Sequence, residues 1–221
     1  MTLGPKYIVI FALVLMGGLG ASVLGPPIMS ILGAAVGLGW SLLLILVAAR
    51  IGSKERRRYY AANTSILLAA FIAGVLVGHG ILDTSLRSTA LAQIPQFYHL
   101  FARPPLADVF FIIPVIENSL LEWLLIPLAL LLNWDIPQRR KLLIVAAVMY
   151  YAMRAWTYLH FAPLVMNWAA LPAEAFTSAL LEQNRRWVTL SWFRVATDAL
   201  VYGLFLLAAL VSVRSTPEIK R

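Results

Sequence analysis

The 221-residue chain has no cysteine, so it can form no disulfide bond, thiolate-bound metal site or cysteine nucleophile. Charged residues are also scarce, at 13% of the total, whereas 61% of the residues are hydrophobic and the mean hydropathy is +0.82. The sequence shows neither a phosphate-binding glycine loop nor a nucleotide-binding fingerprint, and no Ser-His-Asp order with supporting context. This composition fits no ordinary soluble domain and indicates an integral membrane protein.

Six apolar stretches are each long enough to cross a bilayer, which takes about 20 mostly apolar residues. They lie at roughly 7–24, 28–50, 63–82, 107–132, 142–163 and 188–213. The connections between them are too short to hold an independent soluble core. The sequence therefore predicts one all-α bundle of six transmembrane helices. The two longest connections, about 83–105 and 164–187, mix aromatic and polar residues and predict short interfacial helices in external loops.

The basic residues divide unequally between the two sides of this six-helix topology. Twelve fall on the side of the two termini and four on the other. The twelve are Lys6, Arg50, Lys54, Arg56, Arg57, Arg58, Arg139, Arg140, Lys141, Arg214, Lys220 and Arg221. Because positively charged loops are retained in the cytoplasm, we predict that both termini lie on the cytoplasmic side of the membrane. We expect this membrane to be the cytoplasmic membrane of a bacterium. The basic run Lys54–Arg58 then faces anionic lipid rather than nucleic acid, despite the net charge of +8.

On this topology the chain divides into three parts. Residues 1–62 form a transmembrane hairpin with a basic cytoplasmic loop, residues 63–213 a four-helix core, and residues 214–221 a cytoplasmic tail. Gly25-Pro26-Pro27 predicts the turn of the hairpin, and Asn63-Thr64-Ser65 predicts the N-terminal cap of the third helix. The hairpin has no ionisable residue inside its helices, so residues 7–50 are either scaffold or a surface for a second copy or a partner subunit.

Charged residues interrupt the last three spans at similar depth. Glu117, Arg154, Arg194 and Asp198 lie about six to ten residues from the outer ends of their spans, which corresponds to roughly 9–15 Å. A charge at mid-bilayer costs at least about 2.5–3.5 kcal/mol, so such groups turn inward and pair. We therefore predict a polar cavity in the outer half of the membrane, with Arg154 in contact with Glu117 or Asp198. The same charges could instead form a salt-bridge network that only fixes helix register.

Other polar residues share helix faces with these charges. On the sixth span they recur at three- and four-residue steps, which align on one face. These residues are Trp187, Ser191, Arg194, Asp198 and Tyr202. On the fifth span Arg154 and Tyr158 share a face, and on the fourth Glu122 lies one turn below Asn118. The three faces are predicted to meet at the cavity.

The histidines His79, His99 and His160 all map to the outer side. His79 and Asp83 are one helical turn apart, and with His160 and Glu117 they are candidate ligands for iron, copper or zinc. Histidine-ligated haem is a second possibility, although no compact metal-binding motif is present. A third possibility is that the protein needs no cofactor.

The last four spans resemble the anthrone oxygenase-like family of small integral membrane proteins. The resemblance covers about residues 63–213 and rests on scattered positions. These are His79 and Asp83, Pro95-Gln96-Phe97-Tyr98, Pro163, Asn167-Trp168, Leu171-Pro172, and Trp187, Ser191 and Arg194. The named activity of the family is oxygenation of a polyketide anthrone to a quinone without a conventional cofactor.

The resemblance implies a membrane-embedded oxidoreductase that acts on a lipophilic, aromatic or quinone-like molecule. In such a site His79 or His160, with the carboxylates Glu117 and Asp198, would remove a proton, and Arg154 or Arg194 would stabilise the resulting anion. The predicted substrate contacts are Asn118, Trp156, Tyr158, Asn167, Trp187, Ser191 and Trp192. The alternative is a non-enzymatic membrane protein, either a small-molecule transporter or an accessory subunit of a larger complex.

Overall fold

A computed structural model describes residues 4–22, 27–89, 103, 112–172, 175 and 177–211, with the backbone alone for residues 18–22 and 27–30. Six helices account for nearly all of these residues, and no strand occurs among them. The helices are α1 (Pro5–Ser22), α2 (Pro27–Gly52), α3 (Glu55–Thr89), α4 (Ile113–Asn133), α5 (Pro137–Ala170) and α6 (Ser178–Leu210). The predicted all-α fold is confirmed.

Five of the six helices, α2 to α6, are long and apolar enough to cross a membrane. Their outward faces carry large exposed apolar side chains, among them Leu46, Phe71 and Leu200, as contact with lipid requires. The chain is therefore a multi-pass membrane protein. Helix α1 has 18 residues and a rise of about 27 Å, slightly less than the roughly 30 Å of a bilayer core.

Several helices begin or end outside the apolar stretches that predicted them. Helix α3 begins at Glu55, so the predicted cap at Asn63 and the domain boundary after residue 62 both fall inside a helix. Ser65 there donates to its own helix, at the Ala62 carbonyl oxygen, rather than capping. Helix α6 begins at Ser178, where Thr177 provides the cap, and not at 188. Hydropathy predicts the part of a helix that lies in lipid, and polar residues continue the helix beyond it.

The predicted interfacial segment at 164–187 consists mostly of the ends of two spans. Helix α5 continues to Ala170 and α6 starts eight residues later, at Ser178. Of the other predicted segment, residues 83–89 complete α3, and the remainder lies outside the described residues apart from Arg103. The predicted turn at Gly25-Pro26 also lies outside them.

Helices α4 and α5 each widen into a π-helical turn just before a proline. The turns are Leu120–Leu125, followed by Pro127, and Thr157–Phe161, followed by Pro163. Proline has no N–H, so the carbonyl group one turn earlier loses its helical donor. For Pro127 this carbonyl belongs to Trp123, and the indole N–H of Trp40 on α2 donates to it instead. This hydrogen bond therefore links the N-terminal hairpin, formed by α1 and α2, to the four-helix core.

The bundle has apolar side chains through its middle and polar clusters towards both ends. The middle layer contains Ile66, Ala69, Ala70, Leu125, Ile126, Ala129, Leu130, Leu143, Ala146, Ala147, Val201 and Phe205, each no more than 6% exposed. At one end the buried Arg139 donates to the Val211 carbonyl oxygen and to the side-chain oxygens of Asn63 and Asn133. We call this the basic end, because α3 and α5 begin there among basic residues. The candidate site lies towards the opposite end.

Candidate functional site

A polar cavity of about 80 Å³ lies between α3, α4, α5 and α6, towards the end opposite the basic end. Its lining residues are Leu76, His79, Gly80, Asp83, Pro114, Asn118, Arg154, Arg194 and Asp198. A water molecule occupies about 30 Å³ in the liquid, so the cavity has room for a few waters or for the reactive edge of a larger molecule. It brings together polar side chains from four helices: the three whose polar faces the sequence analysis considered, and α3, which contributes His79 and Asp83.

Arg154 and Asp198 are the most deeply buried charged residues of the lining. Both side chains are 5% exposed, and Nη2 of Arg154 lies 3.6 Å from Oδ2 of Asp198. The predicted pairing of Arg154 is confirmed for Asp198. Nε and Nη2 of Arg154 and Oδ1 of Asp198 have no hydrogen-bond partner among the described residues. Because buried polar atoms are almost always satisfied, water or a ligand is expected to complete them.

Asp83 lies nearer the rim of the cavity and is held by two arginines. Nε of Arg87 donates to its Oδ1 at 2.7 Å, and Nη2 of Arg194 lies 3.9 Å from its Oδ2. The ring of Trp187 stacks on the Arg87 guanidinium, with 4.9 Å between the ring centroid and Cζ. Asp83 is thus an ion-pair partner that positions two arginines.

His79 and Glu117 form a second pair at the rim. Nδ1 of His79 lies 3.0 and 2.9 Å from the two carboxylate oxygens of Glu117. Glu117 therefore pairs with the histidine, and not with Arg154. A carboxylate beside Nδ1 favours the tautomer that carries its proton there, which leaves the other ring nitrogen as a proton acceptor in the neutral imidazole.

Glu122 lies deeper and is 1% exposed. The hydroxyl group of Tyr158 lies 2.9 and 3.1 Å from its two carboxylate oxygens, so the π-helical turn of α5 contacts that of α4. Gly17 of α1 packs against this carboxyl group, since a Cβ atom at Gly17 would lie 3.5 Å from Oε2 of Glu122. The N-terminal hairpin therefore covers Glu122 on this side. Tyr150 donates to Oδ1 of Asn118 at 2.9 Å and connects this region with the cavity lining.

The described residues in and beside the cavity carry more acidic than basic groups. The basic ones are Arg87, Arg154 and Arg194, and the acidic ones are Asp83, Glu117, Glu122 and Asp198. Three guanidinium groups face four carboxyl groups, so this set is neutral only if one proton is held on a carboxyl group or on His79. Uncompensated charge is costly in a low-dielectric interior, and this excess therefore indicates a site that binds a proton.

Several predicted site residues lie apart from the cavity lining. His160 is exposed and stacks on Trp156, while Asn167 and Trp192 are also exposed. Trp187 is buried in a separate aromatic cluster with Trp168 and Phe161. Ser191 is fully buried on the inward face of α6.

The predicted metal set of His79, Asp83 and His160 is wrong. In the part of the chain that the structure describes, no three His, Cys, Asp or Glu side chains gather as metal ligands. The π-helical turn Thr157–Phe161 gives the physical reason. A π-helical turn changes the angle between successive side chains, so α-helical spacing does not hold within it, and His160, which lies inside the turn, is exposed beside Trp156.

Two contributors to the site were missed from the sequence. Arg87 lies four residues after Asp83, a spacing that predicts an ion pair on a helix. Tyr150 lies one turn before Arg154, on the same face of α5, and its ring lies 5.3 Å from the Arg154 guanidinium. Both signals are present in the sequence, and helix periodicity alone could have found them.

No protein-family model, curated protein or solved structure matches this chain. The resemblance to the anthrone oxygenase-like family stays a prediction. Function is therefore inferred from the cavity, which combines a histidine–carboxylate pair and buried guanidinium groups inside a multi-pass membrane protein.

Proposed function

We propose that the protein is a membrane-embedded oxidoreductase of the oxygenase type, acting on a lipophilic aromatic or quinone-like small molecule. The observation that carries this proposal is that His79, held by Glu117, and the Arg154 guanidinium line the same cavity. A weakly acidic C–H or phenolic O–H group loses its proton readily only where one group accepts the proton and another stabilises the resulting anion. The cavity supplies both.

In the proposed reaction, His79 accepts the proton of an acidic C–H or phenolic O–H group. The electron pair of the broken bond remains on the substrate as an oxyanion. The N–H groups of Arg154 that have no partner among the described residues donate to this oxyanion. Dioxygen is the oxidant. Conversion of one CH₂ group to a carbonyl group consumes one O₂, which supplies the carbonyl oxygen and one molecule of water.

The cavity is too small for a multi-ring substrate and would hold only its reactive edge. The remainder would contact Trp156, the half-buried member of the aromatic cluster beside it, whose ring packs on the buried Phe161 with 5.0 Å between centroids. Arg194 joins the two regions, because it lines the cavity while its Cζ lies 5.7 Å from the centre of the Phe161 ring. Flat apolar ligands pack well on such rings.

We further propose that the cavity faces the outside of a bacterial cell membrane, with both termini in the cytoplasm. The basic residues at the end of α2 and at the starts of α3 and α5 support this orientation. A lipophilic substrate would then reach the cavity from the outer leaflet.

The test is oxygen uptake by purified protein in lipid nanodiscs supplied with an anthrone or a hydroquinone. We expect His79→Gln to lower the rate by about 10²–10⁴-fold, the usual contribution of a positioned base. His160→Gln is the matched control, because this histidine is exposed outside the cavity. Equal rates in the wild type and His79→Gln, or no uptake with any substrate of this class, would contradict the proposal.

A second candidate function is proton-coupled transport of a small molecule. The excess of carboxyl over guanidinium groups favours it, because a carrier that exchanges one proton needs such a site. In sealed proteoliposomes, a transporter would move protons when substrate is added without consuming oxygen. The two functions are therefore separated by one pair of measurements.

A further inference from the structure

Glu122 and Tyr158 lie beneath the cavity and take no part in the reaction proposed for it. Glu122 comes from the π-helical turn of α4 and Tyr158 from that of α5. Each residue precedes a proline by five positions, Pro127 and Pro163 respectively. The two widened turns thus place one buried carboxyl group against one phenol.

Each of the other acidic groups of this region has a partner that can carry a positive charge. Asp83 is paired with Arg87 and Arg194, Asp198 with Arg154, and Glu117 with His79. No cation lies within 4 Å of the Glu122 carboxyl group among the described residues, and its hydrogen-bond partner is a hydroxyl group. A buried carboxylate without a nearby cation is far more costly than a neutral carboxylic acid.

We propose that Glu122 and Tyr158 form an internal proton store, which holds on Glu122 the proton required to neutralise the charged cavity. Tyr150 provides the connection: its hydroxyl group donates to Asn118, which lines the cavity, and also faces the Glu122 carboxyl group. In an exchange, the O–H bond of Glu122 breaks as its proton passes to a base in the cavity, where a new bond to hydrogen forms, and the reverse transfer restores the protonated Glu122. No electron is transferred.

The surroundings of Glu122 fit a group that changes charge without access to bulk solvent. From α5 it faces the hydroxyl groups of Tyr150 and Tyr158 and, at longer range, the Arg154 guanidinium. From α1 it faces Gly17, which has no side chain to titrate. Exchange through the cavity is therefore the route that the described residues provide.

This inference depends on the proton chemistry proposed for the cavity, but its test needs no substrate. The infrared spectrum of the protein in nanodiscs should contain the carbonyl band of a buried, protonated carboxylic acid, which shifts slightly in D₂O. We expect Glu122→Gln to abolish this band and Glu117→Gln to retain it. Glutamine has nearly the volume of the neutral acid, so the Glu122 variant should fold.

A tyrosine pair provides a second and independent measurement. Tyr158 bonds the carboxyl group of Glu122, whereas Tyr151 bonds the backbone carbonyl of the same residue. Tyr158→Phe should therefore shift the acid band to higher frequency, and Tyr151→Phe should leave it in place. Absence of the band from the wild type, or its persistence in Glu122→Gln, would overturn the proton store even if the oxygenase activity is found.

Discussion

The Arg154 guanidinium has lost nearly all contact with solvent, yet the oxygen of its nearest carboxylate is 3.6 Å away. Two of its nitrogen atoms have no hydrogen-bond partner among the described residues. A residue that served only to fix helix register would gain most from a close, saturated ion pair. The loose pairing at the cavity wall instead suits a group that completes its hydrogen bonds with water or a bound molecule.

Replacing Arg154 with methionine should destabilise the protein by about 3–5 kcal/mol, because Asp198 is left buried without its cation. The measurement is thermal or denaturant unfolding in detergent. The double variant Arg154→Met with Asp198→Leu should recover much of the stability but none of the activity. Recovery of both would show that the pair has a structural role alone.

Arg185→Met is the matched control for this experiment. Arg185 forms an ion pair with Glu182 at 3.4 Å, but both side chains are well exposed, at 64% and 73%. Surface pairs contribute about 0–1 kcal/mol, so this variant should unfold almost as the wild type does.

Helical periodicity correctly placed most of the charged residues of the site, since Arg154, Arg194, Asp198 and Glu117 all line or border the cavity. His160 was proposed from its outer position alone, and it is exposed inside the π-helical turn of α5. The contact between Gly17 and Glu122 had no signal in the sequence. A glycine at a helix crossing is informative only once the neighbouring helix is known.

At the scale of the helix, the prolines of α4 and α5 act through the hydrogen bonds they remove. Pro127 leaves Trp123 without a helical donor, and Trp40 of α2 replaces it. The sequence contains both prolines, but the pattern of apolar residues does not by itself predict the wide turns that precede them. Which side chain satisfies the freed carbonyl depends on tertiary contacts that the sequence does not display.

Trp40→Phe should cost about 1–3 kcal/mol, because it leaves the partly buried carbonyl oxygen of Trp123 without a donor. In a Pro127→Ala background the same substitution should cost less, since the alanine has a backbone N–H that can donate to the Trp123 carbonyl group. Unfolding of the four proteins in a double-mutant cycle measures this coupling. Trp192→Phe, at an exposed tryptophan, is the control. Equal costs in the two backgrounds would mean that the proline does not cause the interaction.

At the scale of the whole molecule, length and hydropathy predicted the all-α membrane fold, and the helix ends differ from the prediction by up to about ten residues. The orientation in the membrane depends on the unequal placement of basic residues. Reporter domains fused after residues 26, 95 and 175 should all be external, as measured by their activity in whole cells. A cytoplasmic reporter at residue 95 would reverse the orientation and place the cavity on the inner side.

The apolar layer between Glu122 and Arg139 has an electrical consequence. Its side chains are almost completely buried and offer no hydrogen-bonding groups to carry an ion, so the layer acts as an insulator in series with the lipid. Most of the membrane potential would then drop across this apolar layer. Part of the remaining potential would drop between the cavity and the Glu122 carboxyl group. Moving one charge through 100 mV takes about 2.3 kcal/mol. Proton occupancy of Glu122 would therefore follow the voltage across the membrane as well as the pH.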